Sequence, residues 1–142
     1  MNAILLLTPK SSCICLYDDY TLRQSLEHME KARFATIPLL RRNGEYVGTI
    51  SEGDILWAIK NNYTMNMKDA ESRPIMEISR RKDYLPVKVT TSIEELLSMA
   101  VEQNFVPIVD DKESFIGIVT RQKILEYCLK ELSAKAASDE NR

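Results

Sequence analysis

An internal duplication constrains this chain more than any other feature. Gly48-Thr49-Ile50-Ser51-Glu52-Gly53-Asp54-Ile55-Leu56 is matched later by Gly117-Ile118-Val119-Thr120-Arg121-Gln122-Lys123-Ile124-Leu125. Each copy opens on glycine, places a hydroxyl after an apolar residue, and closes on Ile-Leu. Ahead of them lie Ile37-Pro38-Leu39-Leu40 and Val106-Pro107-Ile108-Val109, and Pro38 stands as far from Gly48 as Pro107 from Gly117. The unit is too long for a small solenoid repeat and occurs twice, so the expected fold is one α/β (α+β) module of two pseudo-symmetric halves. The halves align from Lys10 to Leu56 and from Arg81 to Leu125, with a short insertion near Ala35-Thr36 in the first.

The duplicated stretch reads as a strand running straight into a helix. Ser51 stands at the helix N-cap, where its oxygen can accept from a free backbone N–H. The first helical turn carries unpaired donors and partial positive charge, which suits a phosphate. Asp54 offers two carboxylate oxygens, enough for both hydroxyls of a ribose. The competing reading makes Ser51 and Asp54 only a capping pair, with aspartate in place of the usual glutamate. Thr120 repeats the hydroxyl, but Lys123 stands where the first copy has Asp54. Arg80-Arg81-Lys82 reads as a solvated turn or an anion clamp.

Composition narrows the class of function. The 142 residues are 44% hydrophobic and 28% charged, with a formal net charge of −2, which is ordinary for a globular domain. No overall basic balance recruits nucleic acid. The apolar start, Asn2-Ala3-Ile4-Leu5-Leu6-Leu7, is too short for a membrane span and lacks a basic leader. Cys13, Cys15 and Cys128 are expected as reduced thiols in the cytoplasm. Cys13 and Cys15 read as small buried hydrophobes on a strand, since a zinc site would need more partners than His28 supplies. No nucleophile–base pair, glycine-rich phosphate loop or metal cluster is visible, and no catalysis is expected.

Taken in order, residues 3–7 form a strand or a docking arm, and 13–17 a strand. The apolar spacing of Leu22, Leu26, Met29 and Ala32 predicts a helix, with His28 facing outward. Residues 34–40 and 46–50 form a hairpin about Asn43-Gly44. A helix from Glu52 to about Lys60 follows, with Ile55, Leu56 and Ile59 inward and Trp57 off that stripe as an interface anchor or an edge residue. Pro74-Ile75-Met76-Glu77-Ile78 reads as one helical turn. Ser92 caps a helix carrying Ile93, Leu96, Leu97 and Ala100. Strands at 105–109 and 115–119 lead to a last helix from Arg121 to about Leu132. The expected organisation is repeat one at 8–62, linker at 63–79, repeat two at 80–132, and a frayed or disordered tail at 133–142.

This double pattern resembles the cystathionine-β-synthase (CBS) domain present as a tandem pair, also called a Bateman module. Thr36-Ile37-Pro38-Leu39 with Gly48-Thr49-Ile50-Ser51-Glu52-Gly53-Asp54 carries the resemblance in one half, and Phe105-Val106-Pro107-Ile108 with Gly117-Ile118-Val119-Thr120 in the other. It implies two clefts between the halves that take adenine-containing ligands, and a flat homodimer of modules. Gln103-Asn104-Phe105-Val106-Pro107, the run from Phe115 to Arg121, and Lys10 are further similar to stand-alone bacterial CBS pairs that sense cyclic di-AMP. By that resemblance Ser51 contacts phosphate, Asp54 ribose, Ile37 and Pro38 adenine, and Lys10 and Arg121 clamp phosphates. Thr120 keeps the hydroxyl, but Lys123 stands where the family has aspartate. An ammonium cannot accept, so the resemblance implies a second cleft that either lost linear-nucleotide binding or turned towards anions, and the fork of Arg121 favours the latter. The full ligand-binding set expected is Lys10, Ser12, Thr36, Ile37, Pro38, Ser51, Asp54, Arg81, Val106, Pro107, Thr120 and Arg121. The implied function is non-enzymatic sensing of AMP, ADP, ATP or cyclic di-AMP, signalled to a partner protein, with no cofactor. The alternative is an interaction scaffold with empty clefts.

Overall fold

The computed structural model describes residues 2–32, 35–61, 68 and 71–140. A 3-10 turn (Ala3–Leu6), β1 (Thr8–Pro9) and a second 3-10 turn (Lys10–Ser12) lead into β2 (Leu16–Tyr17), α1 (Leu22–Lys31), β3 (Thr36–Leu40), β4 (Tyr46–Ser51) and α2 (Glu52–Asn61). A 3-10 turn (Ile75–Glu77) then precedes β5 (Val87–Lys88), α3 (Ile93–Ala100), β6 (Phe105–Val109), β7 (Phe115–Thr120) and α4 (Arg121–Glu140).

Local chemistry sets the helix starts. At α1 the Thr21 hydroxyl accepts from Gln24 N while the Gln24 side chain accepts from Thr21 N, a reciprocal capping box. At α3 the Ser92 hydroxyl accepts from Glu95 N, and Glu94 and Glu95 lie in the first turn, where negative charge suits the dipole. α2 and α4 begin with no intervening loop, directly from the last residues of β4 and β7.

The duplication holds residue by residue. β3 and β4 pair antiparallel as Thr36↔Ser51, Ile37↔Ile50, Pro38↔Thr49, Leu39↔Gly48 and Leu40↔Tyr46, with an irregularity after Leu39. β6 and β7 repeat this as Phe105↔Thr120, Val106↔Val119, Pro107↔Ile118, Ile108↔Gly117 and Val109↔Phe115, with the irregularity after Ile108. The sheets run β2-β3-β4 and β1-β7-β6-β5. Their hairpin tips meet reciprocally: Tyr46 N donates to Glu113 O (3.1 Å) and Phe115 N to Gly44 O (2.9 Å). The Tyr46 and Phe115 rings stack there with centroids 6.3 Å apart. Leu40, Phe105, Phe115 and Ile118 fill the space between the halves.

The segments leading into each half cross over. β1 pairs with β7, Thr8 opposite Ile118 and Pro9 opposite Gly117, and Ala3, Leu6 and Leu7 pack into the core of the second half. Reciprocally, Ile75 and Ile78 sit in the core of the first half. Glycine permits both crossings. A methyl on Gly117 would collide with the Thr8 carbonyl, and one on Gly48 with the Asp83 carboxylate.

Several expectations are corrected. Residues 3–6 form a 3-10 turn rather than a strand, so of the two expectations the docking arm holds, and Cys13 follows another such turn, so the next strand begins only at Leu16. Leu56 is 63% exposed, and the inward stripe of α2 is Asp54, Ile55, Ala58 and Ile59. His28 is half-buried against Tyr20 rather than turned outward. α4 continues to Glu140, so residues 133–140 are helical rather than frayed. Ala134, Lys135, Ala136 and Ala137 favour helix, and no glycine or proline interrupts the run. Phe34, most of the stretch at 62–70, and residues 141–142 lie outside the described residues.

Candidate functional site: two clefts beside the crossing segments

The crossing segments build two clefts beside the starts of α2 and α4. The first is a cavity of about 440 Å³ lined by Asp54, Trp57, Ser79, Arg80 and Arg81. The Ser51 hydroxyl accepts from Asp54 N (3.0 Å), and Asp54 Oδ2 accepts from Ser51 N (2.9 Å), so the expected capping pair is formed. Asp54 Oδ1 accepts from Arg81 N (3.0 Å), and the residue is 7% exposed. Both carboxylate oxygens therefore already hold backbone donors. Next along the chain, Asp83 accepts from Thr49 N (3.0 Å) and from Arg80 Nε (2.8 Å), and Tyr84 N donates to Thr49 Oγ1 (3.1 Å). These bonds fix the inter-repeat segment along β4.

The second cleft, about 290 Å³, gathers residues from both halves: Thr8, Ser12 and Cys13 from the N-terminal segment, Lys31, Ala32 and Thr36 to Pro38 from the first repeat, and Phe105, Ile118 and Thr120 from the second. The Thr120 hydroxyl accepts from Lys123 N (3.2 Å). The Lys123 ammonium reaches back across the lip and donates to Thr8 Oγ1 (2.8 Å). Thr36 is 8% exposed. Burial raises the pKa of the Cys13 thiol here, against the lowering effects of the Ile118 backbone and the Lys123 charge.

The expected site residues divide accordingly. Asp54 and Arg81 line the first cleft; Ser12, Thr36, Ile37, Pro38 and Thr120 line the second. Thr36, Ile37 and Pro38 thus lie with Thr120 and apart from Asp54, because the N-terminal segment crosses to the other half and pairs with β7. Ser51 and Thr120 are both half-buried rather than sealed. Five expected residues line neither cleft. Ser51 adjoins the first only through its bonds to Asp54. Val106 is fully buried in the core and Pro107 is buried in β6. Lys10 lies beside Gly44 in the β3–β4 turn. Arg121 Nε donates to Ala100 O (2.7 Å), so its side chain caps the C-terminal end of α3 instead of reaching a cleft. Arg80, in the run that reads as a solvated turn or an anion clamp, and Trp57, expected as an interface or edge residue, line the first cleft; Ser79, Thr8 and Lys31 carry no expectation of a site in the sequence. The repeat alignment pairs Thr8-Pro9-Lys10 with Ser79-Arg80-Arg81. That pairing was the available signal for the crossing segments.

Duplicated β-α-β-β-α halves, enclosing paired clefts, define the class: the chain belongs to the CBS domain family, whose profile matches residues 6–61 and 75–130. It is a tandem pair. An uncharacterized protein of Methanocaldococcus jannaschii is 26% identical over 80% of this chain and 84% of its own length. The crystal structure of CbpB in complex with c-di-AMP superposes with a TM-score of 0.82 at 21% identity, covering 97% of this chain and 91% of CbpB. CBSX2 in complex with AMP gives 0.72 at 20% identity, covering 91% and 96%. At such identities the likeness establishes the shared fold.

Among the described residues, no helix is long and apolar enough to cross a membrane. Nor, among them, does any group of three or more His, Cys, Asp or Glu residues form a site that could hold a metal ion.

Proposed function

We propose that this chain is a non-enzymatic regulatory module that binds an adenine nucleotide between its CBS repeats and passes the bound state to a partner protein. AMP, ADP, ATP and cyclic di-AMP are the candidate ligands, acting in the cytoplasm. The observation that carries this reading is the second cleft. It is shared by both halves, lined by the hydroxyl-bearing residues Thr8, Ser12, Thr36 and Thr120, and flanked by the cations Lys31 and Lys123. Hydroxyls and ammonium groups serve phosphate and ribose, while Ile37, Pro38 and Phe105 offer apolar surface to a purine. The complexes of CbpB with c-di-AMP and of CBSX2 with AMP support the same class of ligand. Binding would bias one arrangement of the halves, or of a dimer, over another.

A thermal-shift screen with AMP, ADP, ATP, S-adenosylmethionine and cyclic di-AMP tests it. A ligand at a hundred times its Kd stabilises the native state by about 2.7 kcal/mol. That is a shift of several degrees for a chain of this size. No shift with any of them at millimolar concentration overturns the reading.

One observation favours a second reading, an interaction scaffold without ligand: Asp54, the ribose acceptor of the first cleft, is already held by Ser51 N and Arg81 N. Adenine absorbance retained by the purified protein counts against it.

A further inference from the structure

Asp54 and Lys123 occupy the same position in the two repeats, and each ties its helix to the segment that crosses from the other half. The direction of the bond is reversed. Asp54 accepts from Arg81 N, whereas Lys123 donates to Thr8 Oγ1. The first cleft therefore has a carboxylate in its lining beside Arg80 and Arg81, and the second has the Lys123 ammonium, outside its lining, bonded to the Thr8 hydroxyl of its wall. Among the described residues that line the second cleft there is no carboxylate. Lys31 adds a cation to that lining. Thr36 contributes a hydroxyl to the same lining.

We infer that Lys123 is a specificity-determining residue that makes the second cleft select a phosphate or phosphodiester group over a vicinal ribose diol. The inference rests on the ligand-binding reading above and deepens it. A vicinal diol is recognised by acceptors, and a carboxylate can take both of its hydroxyls; an ammonium can take neither. A phosphate oxygen needs donors instead. One N–H of Lys123 is spent on Thr8, and two remain for a ligand anion, while the Thr8 hydroxyl keeps its own proton to donate. Ligands carrying a phosphodiester and no vicinal diol fit this cleft; nucleosides do not.

Titration calorimetry at low salt with cyclic di-AMP and with adenosine separates the terms, since the first has phosphodiesters without a vicinal diol and the second the reverse. Lys123 is exposed and on the helix surface, so its variants should fold. Lys123→Met should weaken cyclic di-AMP about tenfold or more and leave adenosine no weaker, as expected for the loss of a charge-assisted bond. Lys123→Arg should retain most of the affinity, and Lys123→Asp should shift the ratio of the two affinities towards adenosine. Cyclic di-AMP binding to wild type with an unchanged ratio in Lys123→Asp overturns this inference and leaves the proposed function standing. Failure of wild type to bind either compound or any other adenine nucleotide overturns both.

Discussion

Cys15 carries a consequence that pH exposes. Burial pushes its thiol up to about 12, with Cys13 adding to the rise and Lys10 opposing it. In the unfolded chain the same thiol ionises near its ordinary value of 9.0. Between those values the unfolded chain sheds a proton that the folded chain keeps, so this contribution to stability is full below about pH 9 and is lost as pH rises towards 12. Urea midpoints measured across that window should fall, and Cys15→Ala should fall less steeply than wild type; an identical slope would refute the assignment. Single residues were legible in the sequence where their partners are local. Ser51 with Asp54, Thr120 with Lys123, and Ser92 with Glu95 all bond three positions away, and each was read as a cap or helix start. The bond of Arg121 to the Ala100 carbonyl has no local signal, because that partner arrives only when α3 packs against the start of α4. Lys123 was seen to break the repeat, but its bond to Thr8 spans nearly the whole chain and leaves no local trace.

Elements were legible to the extent that one periodicity governs them. The hairpins β3–β4 and β6–β7 followed from Pro, Gly and alternating apolar residues, and α1 and α3 from apolar spacing with a capping hydroxyl. The short β1, β2 and β5 were harder, since two-residue strands carry no period and exist only through their neighbours. On α4 the apolar residues divide: Ile124 is fully buried, while Leu125, Leu129 and Leu132 are exposed. Leu56, at the position of Leu125 in the first repeat, is exposed as well. Two equivalent helices thus present apolar side chains outward, which supports the homodimer proposed for this chain. Leu129→Lys should lower the apparent mass in sedimentation while changing the unfolding free energy of the dissociated protomer by no more than about 0.5 kcal/mol, as for other surface substitutions. A wild-type chain that sediments as a monomer at high concentration would end that proposal.

The architecture of the molecule departs from its linear description in one respect. The duplication predicted two halves, yet the repeats as written in the sequence are not the units that pack. Ala3, Leu6 and Leu7 complete the core of the second half, and Ile75 and Ile78 complete that of the first. Lead-in segments are short and weakly patterned, so neither period nor capping announced where they would dock; only their alignment, Thr8 with Ser79, hinted that they play matching parts. The two lobes consequently hold each other as clasped hands do, and covalent continuity is not what joins them. A chain cut once at a protease site engineered between Asn61 and Glu71 should still elute as a single species of undiminished mass, both fragments together, until denaturant is added; fragments that part in native buffer would show the clasp to be too weak to matter.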